Sequence, residues 1–139
     1  FTVGTDKFGF YDNAALNLND SATRSYARGS FSSSTTEFTY AEGGTVSTTT
    51  TALSANIIVV TNTQSTWTSA AAVDNALSTF AGGVSGGVVL FYQTSAGGAY
   101  QMAFDSTGSS NASGSFDLLA SLTSVTSVSS LTSTDFSVY

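Results

Sequence analysis

Asn56-Ile57-Ile58-Val59-Val60-Thr61, followed by apolar residues at Ala70, Val73, Ala76, Leu77 and Phe80, decides the fold class of this chain. The first stretch is an unbroken branched-aliphatic run of strand length, which reads as a buried strand. The second recurs at spacings of three and four, the only helical rhythm in the sequence, and predicts a helix over residues 68–81. Thr66 or Thr68 is the expected N-cap, and Gly82-Gly83 the expected stop. Working outward, Gly87–Gln93 and Ala99–Asp105 read as a hairpin turned at Ser95-Ala96-Gly97-Gly98. Ser115–Leu122 supplies a further strand and Asp135–Tyr139 a closing one. The order β-α-β-β-β implies a β-dominated α+β fold: a largely antiparallel sheet with one helix on one face.

The front of the chain is less patterned. Lys7–Tyr11 reads as a strand with Phe8 and Phe10 on one face. Glu37–Tyr40 and Thr45–Thr51 resemble a hairpin around Ala41-Glu42-Gly43-Gly44, and the threonine run suits an exposed strand because Thr is stiff at χ1. The expected organisation is therefore a β-rich arm, edge or linker region over residues 1–54 and an α+β domain over 55–139. One internal echo, Ser124-Val125-Thr126-Ser127-Val128-Ser129, is too short to be a repeat architecture.

Composition excludes more than it identifies. The 139 residues contain no His and no Cys, and only three cations, Lys7, Arg24 and Arg28, beside 22 Thr and 25 Ser. Imidazole and thiolate, the usual base and nucleophile of enzyme chemistry, are missing. Ten Phe and six Tyr argue for a real core rather than disorder. Charged residues are 9% of the chain, against about 25% in ordinary soluble domains. With a net charge of −6, nucleic acid is a poor partner, because almost nothing neutralises phosphate. No apolar run reaches the length of a membrane helix, so membrane insertion is not expected. The chain opens on Phe1 without a cationic leader, and the expectation is a segment of a longer polypeptide.

A family resemblance is carried by Asn56–Thr61, Ala70–Leu77, Gly87–Tyr92, Ala99–Asp105 and Leu118–Thr123. Together these segments resemble the C-terminal region of RTX-type bacterial proteins exported by type I secretion. The ending Leu131-Thr132-Ser133-Thr134-Asp135-Phe136-Ser137-Val138-Tyr139 is similar to the terminal pattern of that group, and Gly4-Thr5-Asp6-Lys7-Phe8 to its opening segment. The resemblance implies an extracellular or cell-surface destination, contact with the secretion machinery during export, and a secretion signal that includes Asp135, Phe136, Val138 and Tyr139. It also raises calcium. The departure is that the glycine-rich Gly-Gly-x-Gly-x-Asp repeat is absent, since none of the Gly-Gly pairs here is followed by the spaced Asp.

Other candidate sites each have a plainer rival. Asp105 and Asn111 bracket a polar loop, and Asp6, Asp12 and Asp20 form an acidic group near the front. Both are candidate Ca²⁺ sites, though calcium asks for six to eight oxygens and a single Asp in a Ser-Gly loop usually makes a turn. Trp67, Tyr92 and Tyr100 are candidates for stacking on a sugar ring. Against this, a Trp just before a helix commonly acts as a hydrophobic staple or core anchor. No catalytic residue or required cofactor emerges. Three functions are expected in descending order. The first is a non-enzymatic secreted subunit that self-associates into a filament, sheath or surface layer. The second is a passive C-terminal secretion and folding module, and the third a carbohydrate-binding adhesin module.

Overall fold

A computed structural model describes residues 2, 4–10, 26–31, 36–41, 57–77, 87–95, 98–105 and 116–138. The strands are β1 (Phe8–Phe10), β2 (Tyr26–Phe31), β3 (Thr36–Ala41), β4 (Ile57–Val60), β5 (Gly87–Gln93), β6 (Ala99–Asp105), β7 (Phe116–Leu122) and β8 (Phe136–Val138). The helix α1 spans Ala70–Leu77, and a single 3-10 turn covers Ser133–Asp135. Six strands form one sheet in the order β3-β2-β4-β5-β6-β7, while β1 and β8 form a separate two-stranded ribbon. The fold is β-dominated α+β, as expected. The six-stranded sheet is mixed: β2–β4 and β4–β5 are parallel, and the other three pairings are antiparallel. A parallel β4–β5 pair is what a helical crossover between adjacent strands requires.

The apolar runs are continuous because both faces of the central strands are covered. Ile58, Val60, Val89, Phe91, Ala103 and Phe116 point to one face, where Trp67 and Val73 join them and Ala70 and Ala76 pack alongside. Ile57, Val59, Val88, Leu90, Tyr100 and Met102 point to the other, beneath Phe10, Val128, Leu131 and Phe136. The molecule is thus three layers: α1, the sheet, and a layer made of the β1–β8 ribbon with the segment leading into β8.

That segment follows a rhythm of three. Leu122, Val125, Val128 and Leu131 turn inward, while Thr123, Ser124, Thr126, Ser127, Ser129 and Ser130 between them are exposed. Turn hydrogen bonds from Val125 N–H to Leu122 O and from Leu131 N–H to Val128 O, each 3.2 Å, keep the spacing. The Ser124–Ser129 echo belongs to this strap, which crosses the sheet and is held from below by Arg28, whose Nη1 donates to Leu131 O at 2.7 Å.

Several expected boundaries move. The helix is capped by Ser69, whose Oγ accepts the Ala72 N–H at 3.1 Å, rather than by Thr66 or Thr68. β3 pairs with β2, so the hairpin partner of Glu37–Tyr40 precedes it in sequence; Thr45–Thr51 and Gly82-Gly83 lie outside the described residues. Because β2 is inside the main sheet beside β4, that sheet spans the boundary expected at residue 54.

The β5–β6 turn closes on Gly98, whose φ of +70° is left-handed and whose N–H donates to Ser95 O at 3.1 Å. A Cβ built there would collide with the Tyr92 ring, with Cζ only 2.8 Å away. Gly98→Ala is expected to cost about 1–3 kcal/mol, combining the left-handed penalty with displacement of Tyr92. Chemical denaturation checks it, and an unchanged midpoint would show that the turn relaxes freely.

Candidate functional site

Residues 4–8 and 135–138, from the two ends of the sequence, come together in space. β1 and β8 pair in parallel with Phe8 opposite Phe136, and those two rings stack with centroids 5.4 Å apart. Asp135, 3% exposed, fastens the junction. Its Oδ1 accepts the Gly4 N–H at 2.9 Å, and its Oδ2 accepts the Thr132 N–H at 2.8 Å and the Thr132 hydroxyl at 3.1 Å. A buried carboxylate is tolerated because N–H and O–H donors surround it. Phe136 is buried in the strap-side core. Val138 pairs with Phe10 along the ribbon, and Tyr139 lies outside the described residues.

The aromatic candidates do not form an open platform. Trp67 is 1% exposed in the helix-side core. Its carbonyl accepts the Thr94 N–H at 2.9 Å and the Thr94 hydroxyl at 3.1 Å, which docks the stretch before α1 onto the end of β5. Tyr100 and Tyr92 lie in the opposite core, the first buried and the second half-buried, in an edge-on pair 5.1 Å apart. An indole enclosed this way has no face to offer a sugar ring, so the core-anchor reading fits Trp67.

Burial pushes the Tyr100 hydroxyl above its usual 10.0, assisted by neighbouring Tyr92 and opposed by a hydrogen bond with the Val128 backbone. A raised folded-state value means that stability is unaffected by this group below about pH 10 and is lost as pH climbs through the folded value. Unfolding curves between pH 9 and 12 should therefore fall more steeply for the native chain than for Tyr100→Phe. Parallel curves would dismiss the coupling.

Of the calcium candidates, Asp6 is exposed, and its Oδ2 accepts the Thr2 N–H at 2.6 Å in a local turn. Asp12, Asp20 and Asn111 lie outside the described residues, while Asp105 closes β6, where its backbone pairs with Gly87 and Phe116. Among the described residues, no three acidic, His or Cys side chains converge on a metal-sized site.

Sequence reasoning missed the outer face of β7. Residues 117–121 are exposed, and Leu118 and Leu119 stand 55% and 45% open to solvent, the large apolar side chains so exposed among the described residues. Met102 pairs with Ala120 and Ala103 with Leu118, so Leu119 is the extra residue of a bulge. The available signal was the leucine doublet, which breaks the alternation that a half-buried strand keeps. β6 lies on one side of β7; among the described residues no strand pairs with the other side. Comparison of the chain with family models, curated proteins and solved structures finds no match.

Proposed function

We propose that this chain is a non-enzymatic structural module of an extracellular or cell-surface protein, and that it works by self-association through its sheet edge. The observation that carries this reading is β7: an outer strand of seven residues with two exposed leucines and one charge, Asp117. Soluble proteins usually guard such edges with lysines, prolines or cover. Among the described residues, β7 carries only a bulge and the single charge of Asp117 in that role. The composition agrees, since hydroxyls far outnumber charges, and three cations in 139 residues leave few sites for trypsin-like proteases. Solution mass and electron microscopy of the purified chain, with and without millimolar calcium, test the proposal. Concentration-dependent assemblies are expected. A monodisperse monomer at every concentration and in both conditions overturns it.

A second reading, a passive C-terminal module for type I export and folding, is favoured by the meeting of residues 4–8 with residues 135–138. Its test is export of a reporter fused ahead of the chain by a type I secretion host. Equal export with and without the chain defeats this reading.

A further inference from the structure

The β5–β6 hairpin sets two phenols directly across a ladder. Tyr92 and Tyr100 are register partners, and their rings meet edge-on with centroids 5.1 Å apart. Residues opposed in this way hold their Cβ atoms about 4.5–5.5 Å apart, close enough for the side chains to be joined. Gly98, left-handed and without a Cβ, leaves room at the turn for the tip of Tyr92.

The other oxidisable groups steer an oxidant toward this pair. Thiols are absent from the whole chain. Trp67 is 1% exposed and Met102, the single methionine, 3%, and oxidation of a side chain follows its access to solvent. Tyr92 is only half-buried, and it touches Tyr100, which is enclosed. An oxidant that reaches Tyr92 therefore finds a second phenol in ring contact behind it.

We infer that Tyr92 and Tyr100 form an oxidative cross-linking site, acted on by a peroxidase-type one-electron oxidant with peroxide as the terminal acceptor. Tyr92 first gives up one electron and its hydroxyl proton. Tyr100 passes an electron and a proton to the Tyr92 radical, which is then oxidised a second time. The two phenoxyl radicals couple through ring carbons ortho to their hydroxyls, forming one carbon–carbon bond. The hydrogens on those carbons move to the oxygens, so both phenols are restored. In sum the protein loses two hydrogen atoms, and one peroxide becomes two waters. The edge-on rings must tilt to bring the reacting carbons together, and the broad second torsion of tyrosine allows it. The product is a covalent rung between β5 and β6 within the strap-side core, in a chain that has no disulfide. This site is independent of self-association.

The test oxidises the dilute folded chain with a haem peroxidase and peroxide, with free tyrosine in a parallel tube as the control. The expected product is a monomer lighter by two hydrogen atoms, with the blue fluorescence of linked phenols. Cleavage within Ser95–Ala99 by an elastase-type protease should leave the Tyr92 and Tyr100 fragments joined. Tyr92→Phe and Tyr100→Phe should each lower the yield at least tenfold. A variant carrying Tyr11→Phe, Tyr26→Phe, Tyr40→Phe and Tyr139→Phe should keep it. Mapping the link in the native chain keeps the test valid whatever a variant does to stability. The assignment is overturned by a link that persists in Tyr92→Phe or Tyr100→Phe, or by links that form only between molecules. A native chain left unlinked while free tyrosine is converted overturns it too.

Discussion

Replacing Trp67 with alanine is expected to lower the unfolding free energy by about 3–5 kcal/mol, among the largest effects of any single change here. The indole is 1% exposed, and its core neighbours Ile58, Val60, Val89, Phe91, Ala103 and Phe116 come from four strands, with Val73 from the helix. Those strands are held in the sheet ladder, so the cavity closes poorly. The loss corresponds to a fall of about 10 °C or more in melting temperature for a domain of this size. Trp67→Phe should recover some of it. As the single tryptophan, Trp67 also reports its own environment, so native fluorescence should be blue-shifted and should redden with the global transition. An alanine variant of native stability that instead lost affinity for a polysaccharide would restore the sugar-stacking role.

The second large effect is expected at Phe136, where alanine should cost about 3–5 kcal/mol. Its ring is 3% exposed, stacked on Phe8 and packed among Phe10, Val128 and Leu131. Asp135→Ala should cost about 2–3 kcal/mol, because it strands the Thr132 and Gly4 N–H groups and removes charge-assisted bonds. Asp135 and Phe136 are also among the residues expected from the sequence to belong to a secretion signal, a role that is proposed here and not shown. Their substitution cannot separate export from folding unless stability is measured on the same variants. Denaturant midpoints decide it: variants that keep the native midpoint yet fail to be exported would show a recognition role apart from packing.

The back half of the fold is legible in the sequence where burial is double-sided. Ile57–Val60 and Gly87–Gln93 announce themselves because each covered face demands apolar residues, so no alternation survives. Gly98 marks its turn because the left-handed conformation there is open to few other residues. β2 is not legible. Tyr26-Ala27-Arg28-Gly29-Ser30-Phe31 has no strong period, and it joins the sheet through register with β4, about thirty positions away. The strap shows in the sequence only as an echo, because a period of three fits neither strand nor helix. Its meaning emerges when Leu122, Val125, Val128 and Leu131 are seen to share one core. Trp67 as a core anchor is in view from the sequence as the plainer alternative, whereas the β7 edge depends on where the strand order stops, and that is set by long-range pairing.

The parallel sense of β1 and β8 has a mechanical consequence. Tension transmitted through the backbone ahead of Phe8 and beyond Val138 pulls the two strands lengthwise in opposite directions. The pairs Phe8–Phe136, Gly9–Ser137 and Phe10–Val138 are then loaded at once, together with the stacked rings. An antiparallel ribbon pulled through one end would instead unzip pair by pair. The Gly4–Asp135 bond, joining positions 131 residues apart, sits at the head of the same ribbon and shares the load. Stretching a single molecule through these two points should therefore meet a force peak before the six-stranded sheet yields, and Asp135→Ala should lower that peak. A short ribbon in shear lets a chain with little charge and no disulfide carry tension between its two ends.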